Sequence, residues 1–437
     1  MKRIRLALLA LVAAGAAAAT LVSCGGGEPA RPDVVLIVID TLRPDHLELY
    51  GYEKETAPFL TRLAAHGVVF EKVRSTSSWT APATASILTS LHPVQHGVLT
   101  GFKAMQVLGR VDPRISVNRV PEGVQTVAEA FREAGYSTWG VSDNVNICRA
   151  LGFEAGFDRF EEYADLGAAQ VNAAVKRWTK ELGESRPYFL YLHYMDPHRP
   201  YKPHDPWFKP MPGELAYSIS AYDSEIRYVD ERIAELSELL RWDRGTMVVI
   251  TSDHGEEFLD HGDWDHGRTL YEEVLAVPLV FAPSRDLRIA PRRIAEPVSL
   301  LDLVPTLREF AHLQPGASDQ GISLLPFLRG EGAPPADRAF LSDLRSAPWF
   351  GLRTLKSIVV SNEKLIVTLP EQVELFDLVL DPRERNSLAG QRPDVARELR
   401  ARIERFESEC PKFTPETVST TLDEEGLEKL RSLGYLK

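Results

Sequence analysis

Cysteine is scarce in this chain, with three in 437 residues, so at most one disulfide can form and no dense bridge framework holds the fold. Positive charge is also short: 50 Lys and Arg stand against 62 Asp and Glu, a formal net charge of −12. No basic stripe or nucleic-acid motif occurs, which argues against a nucleic-acid partner. No internal repeat is visible, and the composition carries no mark of disorder, at 44% hydrophobic and 26% charged residues. A chain of this length is ample for one large α/β domain with a smaller companion.

The N-terminus is the exception to the acidic balance. Lys2, Arg3 and Arg5 precede the apolar stretch Leu6 to Val22, which reads as a secretory signal rather than a spanning helix. The stretch ends in Leu21-Val22-Ser23-Cys24, which resembles the lipobox of bacterial lipoproteins. That resemblance implies cleavage after residue 23, lipidation of Cys24 and an exported protein anchored in the bacterial cell envelope on its periplasmic or surface side. The plainer alternative is an ordinary cleaved signal followed by an incidental cysteine. Residues 24–32, with Gly25, Gly26 and Gly27, would then form a flexible tether. Loss of the three cations takes the net charge from −12 to −15. Of the remaining cysteines, Cys148 and Cys410 either pair or stay as separate buried thiols.

From Asp33 to about residue 312 strand and helix signals alternate, as in a doubly wound, mostly parallel α/β sheet. Val34 to Ile39, Ser137 to Val141, Tyr188 to His193, Met247 to Ile250 and Val277 to Phe281 read as buried strands. Thr56 to His66, Pro121 to Ala134 and Ala221 to Leu240 have helical period. Residues 313–437 read as a C-terminal subdomain. Lys356 to Val360 and Lys364 to Thr368 predict strands of a small antiparallel sheet, and Pro393 to Glu407 predicts a helix packed on it.

The chemistry gathers at strand ends. Asp40 closes the first apolar run, and Asp253 with His254 follows Met247 to Ile250. In open α/β sheets the crevice beyond the carboxyl ends of the strands is the ligand site. Two acids and an imidazole delivered there are costly to desolvate without a cation, so they predict a metal site. Thr80 lies in Ser78-Trp79-Thr80-Ala81-Pro82, near the start of a predicted helix whose free amides favour an anion. A threonine hydroxyl is a weak nucleophile unless a base or metal activates it, and a divalent ion at Asp40, Asp253 and His254 would do so. His266 sits in a segment too polar for core, His198 in a loop rich in Pro and His. His193 reads as a strand residue that packs. Asn144 either donates to a substrate oxygen or forms a turn.

Val38-Ile39-Asp40-Thr41-Leu42-Arg43-Pro44-Asp45, the stretch Thr80 to Gly97, Ser252-Asp253-His254-Gly255-Glu256 and His261 to Glu273 resemble the sulfatase family of the alkaline phosphatase superfamily. Leu375-Phe376-Asp377-Leu378 and Asp381-Pro382 extend the match toward the C-terminus. The resemblance implies a doubly wound sheet with a bound divalent metal and a four-stranded C-terminal subdomain. Four departures stand out. Sulfatases carry Cys or Ser, converted to formylglycine, where Thr80 stands, and threonine is not a substrate for that conversion. They carry Arg in place of Thr84, Asp in place of Thr41 and a sulfate-binding Lys in place of His266.

What remains is similar to the threonine-nucleophile branch of phosphodiesterases, phosphonate hydrolases and phosphoethanolamine transferases. That likeness implies metal ligands at Asp40, Thr80, Asp253 and His254. It also matches His193, His198 and His266 to residues that bind the phosphoryl group or a second metal. An imidazole in the ligand set shifts the expected ion toward zinc or manganese and away from calcium. A second ion held by His198 and His266 with Asp196, and a single ion with both histidines on the substrate, are equally consistent. The expected activity is hydrolysis of a phosphate mono- or diester or phosphonate ester. The alternatives are a sulfuric-ester hydrolase without formylglycine, a phosphoethanolamine-type transferase, or a binding lipoprotein. The substrate is a small molecule or a glycan or lipid ester, and membrane contact runs through the lipid anchor alone. The sequence does not specify the oligomeric state.

Overall fold

The computed structural model describes residues 31–99, 101, 114–345 and 353–421. The signal segment 1–23, the Cys24 lipidation site and residues 100 and 102–113 lie outside the described residues. Eight strands make the central sheet: β1 (Asp33–Ile39), β2 (Val68–Phe70), β3 (Ser137–Ser142), β4 (Arg159–Glu162), β5 (Tyr188–Tyr194), β6 (Thr246–Thr251), β7 (Leu279–Pro283) and β8 (Arg292–Ile294). Their order is β8-β2-β7-β6-β1-β5-β3-β4. β1 pairs in parallel with both β5 and β6, placing Val38 opposite His193 on one side and Thr251 on the other. The strand expected at Val277 to Phe281 begins two residues later and runs antiparallel to β2 and β6. A strand buried on both faces shows the same apolar run in either direction, so the reversal is invisible in the sequence.

Helices cover both faces because β1 is apolar from Val34 to Ile39 and alternates sides. Val34, Leu36 and Val38 face one cluster with Ala81, Ala85 and Leu88 of α2 (Thr80–Thr89), Phe131 of α3 (Val127–Glu133) and Leu307 of α6 (Leu303–Phe310). Val35, Ile37 and Ile39 face the other, with Leu60 of α1 (Pro58–Ala64), Trp178 of α4 (Ala168–Glu184) and Ile226 and Ile233 of α5 (Glu214–Leu240). The helix expected from Pro121 starts only at Val127. Thr126 stops it there through a reciprocal cap: its hydroxyl accepts from Glu129 N at 3.1 Å, and the Glu129 carboxylate accepts from Thr126 N at 2.8 Å.

Beyond the central sheet, β9 (Ala339–Arg345), β10 (Thr354–Val360), β11 (Glu363–Thr368) and β12 (Gln372–Asp377) form an antiparallel meander. α7 (Pro393–Glu409) lays Ala396, Leu399 and Ile403 on Ile358, Leu365 and Leu375. From the edge strand, Ser342 Oγ donates to Ser75 O at 2.8 Å and Asp343 N to Thr76 O at 2.9 Å. The small sheet thereby braces the segment that leads into α2. Cys148 and Cys410 are both free thiols. No helix among the described residues is long and apolar enough to cross a membrane.

Candidate active site

β1 and β6 are parallel neighbours, so the residues that follow them emerge at one edge of the sheet. Asp40, Asp253 and His254 are completely buried there, and one ligand-type atom from each lies within 4.8 Å of the others. Ser252 ties the two strand ends together, accepting from Leu42 N at 2.9 Å and donating to His254 O at 2.6 Å. The His254 ring is oriented by its Nδ1, 2.9 Å from the Gly255 carbonyl. A carbonyl only accepts, so Nδ1 carries the hydrogen and Nε2 presents its lone pair. That lone pair faces Asp40 Oδ1 at 3.6 Å, Asp253 Oδ2 at 3.5 Å and Thr80 Oγ1 at 3.2 Å.

Thr80 is the first residue of α2, entered from extended backbone at Trp79 (φ −150°, ψ 143°). It is fully buried, and its hydroxyl donates to His254 Nε2. The structure brings the four residues Asp40, Thr80, Asp253 and His254 together. Two carboxylates and an imidazole lone pair with no exposure fit a divalent cation. Asp253 Oδ2 has no hydrogen-bond partner, which leaves it open to a ligand. Burial raises the Asp253 carboxyl, but the adjoining imidazoles, His254 first and then His193, outweigh it and hold the group below the usual range.

His198 and His266 extend the cluster. The His266 ring lies 4.4 Å from that of His254 and 4.9 Å from that of His198, centroid to centroid. His266 Nδ1 is 3.0 Å from Glu256 Oε1 and 3.1 Å from Asp265 Oδ1, so both carboxylates orient the ring through one nitrogen. His198 Nδ1 donates to the Arg199 carbonyl. Asn144 donates to Asp40 Oδ2 at 2.6 Å, while its own oxygen accepts from Asn146 N at 2.8 Å in a local turn. It therefore both shapes the turn and orients the Asp40 carboxylate.

One residue, Glu256, escapes the sequence reading, and another, His193, reads two ways. The strand pattern has His193 packing, whereas the family resemblance matches it to a ligand position. It is buried in β5, but its Nε2 stands 3.9 Å from both Asp40 Oδ2 and Asp253 Oδ2, and neither ring nitrogen has a hydrogen-bond partner. Glu256, besides holding His266, accepts from Tyr201 OH at 3.0 Å. Its place two residues after His254 was the available signal. Asp196, considered with His198 and His266 for a second ion, instead groups with His204 and Glu225, apart from His266. The sequence distance of two residues from His198 says nothing about which way a loop side chain turns.

Gly255 shows how little room the site leaves. A Cβ there would come within 2.0 Å of the Glu273 carbonyl oxygen. Gly255→Ala is expected to displace His254 and Glu256 together, costing about 2–4 kcal/mol of stability. Urea unfolding measures the loss, and a change under about 1 kcal/mol contradicts the packing described here.

A doubly wound sheet with a buried Asp-Asp-His cluster beside a helix-starting hydroxyl defines the class: an alkaline phosphatase-like α/β protein. The sulfatase family matches residues 32–313, and the chain belongs to it. YidJ, an uncharacterized sulfatase of Escherichia coli K12, is 22% identical over 82% of this chain and 83% of its own length. PehA of Trinickia caryophylli, a multifunctional alkaline phosphatase superfamily protein, is 25% identical over 82% of this chain and 91% of its own. The solved phosphonate monoester hydrolase of Agrobacterium radiobacter superposes with a TM-score of 0.71 at 20% identity, covering 91% of this chain and 99% of its own.

Proposed function

We propose that this protein is a divalent-metal-dependent hydrolase of phosphate mono- or diesters or phosphonate esters, with Thr80 as nucleophile. The observation that carries the reading is the 3.2 Å approach of Thr80 Oγ1 to His254 Nε2 inside the buried Asp40 and Asp253 cluster. A divalent ion held by Asp40, Asp253 and His254 would lower the hydroxyl pKa and offset the charge of the ester. Zinc or manganese suits a set with an imidazole better than calcium. The α2 N-terminus adds free amides on the same side.

Thr80 Oγ1 forms a bond to phosphorus as the bond to the leaving oxygen breaks, and the proton lost from Thr80 is balanced by one delivered to that oxygen. His266 and His198, each oriented through Nδ1 beside the cluster, would serve the non-bridging oxygens or deliver that proton. Water then cleaves the phospho-threonine and regenerates the hydroxyl. A threonine in place of the convertible Cys or Ser favours phosphoryl over sulfuryl chemistry. The phosphonate monoester hydrolase of Agrobacterium radiobacter shows that the shared fold can serve a phosphorus ester.

The test is a panel of aryl phosphate, phosphodiester, phosphonate and sulfate esters offered to zinc- or manganese-loaded protein. At least one phosphorus ester is expected to exceed the sulfate ester in kcat/KM by about tenfold or more, a difference of about 1.4 kcal/mol in barrier. A sulfate ester turned over fastest would overturn the reading.

A further inference from the structure

A second convergence of ligand-type atoms lies away from Thr80 and shares no residue with the cluster around it. Asp196 follows β5, His204 lies in the loop after it, and Glu225 projects from α5. One atom from each lies within 4.8 Å of the others. Asp196 Oδ2, His204 Nε2 and Glu225 Oε2 are all shielded from solvent, and none has a hydrogen-bond partner. Asp196 is 7% exposed and Glu225 1%. The Lys202 ammonium pairs directly with Asp165 Oδ1 at 2.6 Å and acts on Asp196 and Glu225 only through space.

Two buried carboxylates this close are reconciled by protonation of one or by a cation between them. A protonated carboxyl gains a donor that needs an acceptor, and neither Asp196 Oδ2 nor Glu225 Oε2 has a hydrogen-bond partner. The third participant favours the cation: His204 offers a ring nitrogen within 4.8 Å of both acids, yet its Nε2 hydrogen-bonds to neither. The His204 ring is held in that position: it stacks on Tyr228 at 4.0 Å and 3°, and its backbone N donates to Ser224 Oγ of α5 at 3.1 Å. Its carbonyl accepts from Phe208 N at 2.9 Å and Trp207 N at 3.1 Å, so the loop is already turned around it.

We infer that Asp196, His204 and Glu225 bind a divalent cation of the zinc class. One imidazole and two carboxylates are donors that zinc accepts with a water in the fourth position, whereas calcium selects oxygen donors throughout. The ion joins two points of one loop to α5. His198 lies between those points, so the ion fastens the loop that presents His198 to the active site. Its role is positional, and the inference is independent of how Thr80 acts.

Metal-stripped protein is reloaded with zinc, or with calcium in a parallel arm, dialysed, and its metal content measured by elemental analysis. Glu225→Gln and His204→Gln are expected each to hold one equivalent of zinc fewer than the unsubstituted protein. Asp253→Asn is expected to lose a different equivalent, additive with Glu225→Gln. Crystals of the unsubstituted protein soaked in zinc are expected to show an anomalous peak bounded by the three side chains, which decides the matter even where a variant fails to fold. Zinc content unchanged by Glu225→Gln, no peak at this position, or uptake of calcium alone overturns the inference. A peak at Asp40, Asp253 and His254 alone overturns it while leaving the proposed active site standing.

Discussion

Thr80→Ala is expected to lower kcat about 10⁴-fold or more, the scale on which removal of a covalent nucleophile acts. The hydroxyl is buried, and among the described residues its hydrogen-bond partner is His254 Nε2. Alanine at the first position of α2 keeps the helix, and the lost methyl and hydroxyl cost no more than about 1–2 kcal/mol of stability. Activity and stability should therefore separate. Thr80→Ser retains an oxygen at the same reach and should keep measurable turnover. Mass spectrometry of protein quenched during turnover should find phospho-threonine in the unsubstituted protein and none in the alanine variant. An alanine variant with undiminished turnover removes Thr80 from the mechanism.

Lys364→Met is expected to destabilise the fold by about 3–5 kcal/mol, the cost of stranding a buried charge. Lys364 is completely buried, with Nζ 2.9 Å from Glu272 Oε1 and 2.9 Å from Glu384 Oε1. Arg74 reaches the other Glu272 oxygen at 3.1 Å. This network joins β11 of the small sheet to the segments around the active-site edge. Burial raises Glu272, but the charges of Arg74 and Lys364 outweigh it and hold the group at about 2. Burial lifts Glu384 to about 7 even with Lys364 beside it.

The pH dependence follows from these directions. Glu384 holds its proton more tightly folded than unfolded, so its contribution is complete below about 4.5 and is lost as pH rises through about 7. Glu272 behaves oppositely, contributing above about 4.5 and losing that contribution as pH falls toward 2. Urea midpoints for Lys364→Met, and a flattened pH slope between 4.5 and 7 in Glu384→Gln, check both statements. A loss under about 1 kcal/mol in Lys364→Met refutes the network's role.

The sequence by itself determined the class of sheet and the identity of the central cluster. An apolar run ending in an acid is legible because burial on both faces demands it. Asp40, Asp253 and His254 stand at such ends, where parallel neighbours deliver side chains to one crevice. Local signals also placed α5 and α7, whose apolar periods are long. Tertiary structure alone decided the direction of β7, the turn of His193 toward both carboxylates, the support of His266 by Glu256, and the grouping of Asp196 with His204 and Glu225. It also decided that Lys364, a charged residue in a strand pattern, is interior. Each of these depends on contacts between residues tens to hundreds of positions apart. Hydrophobic period records only whether a position is buried, and it is silent on which partner waits there.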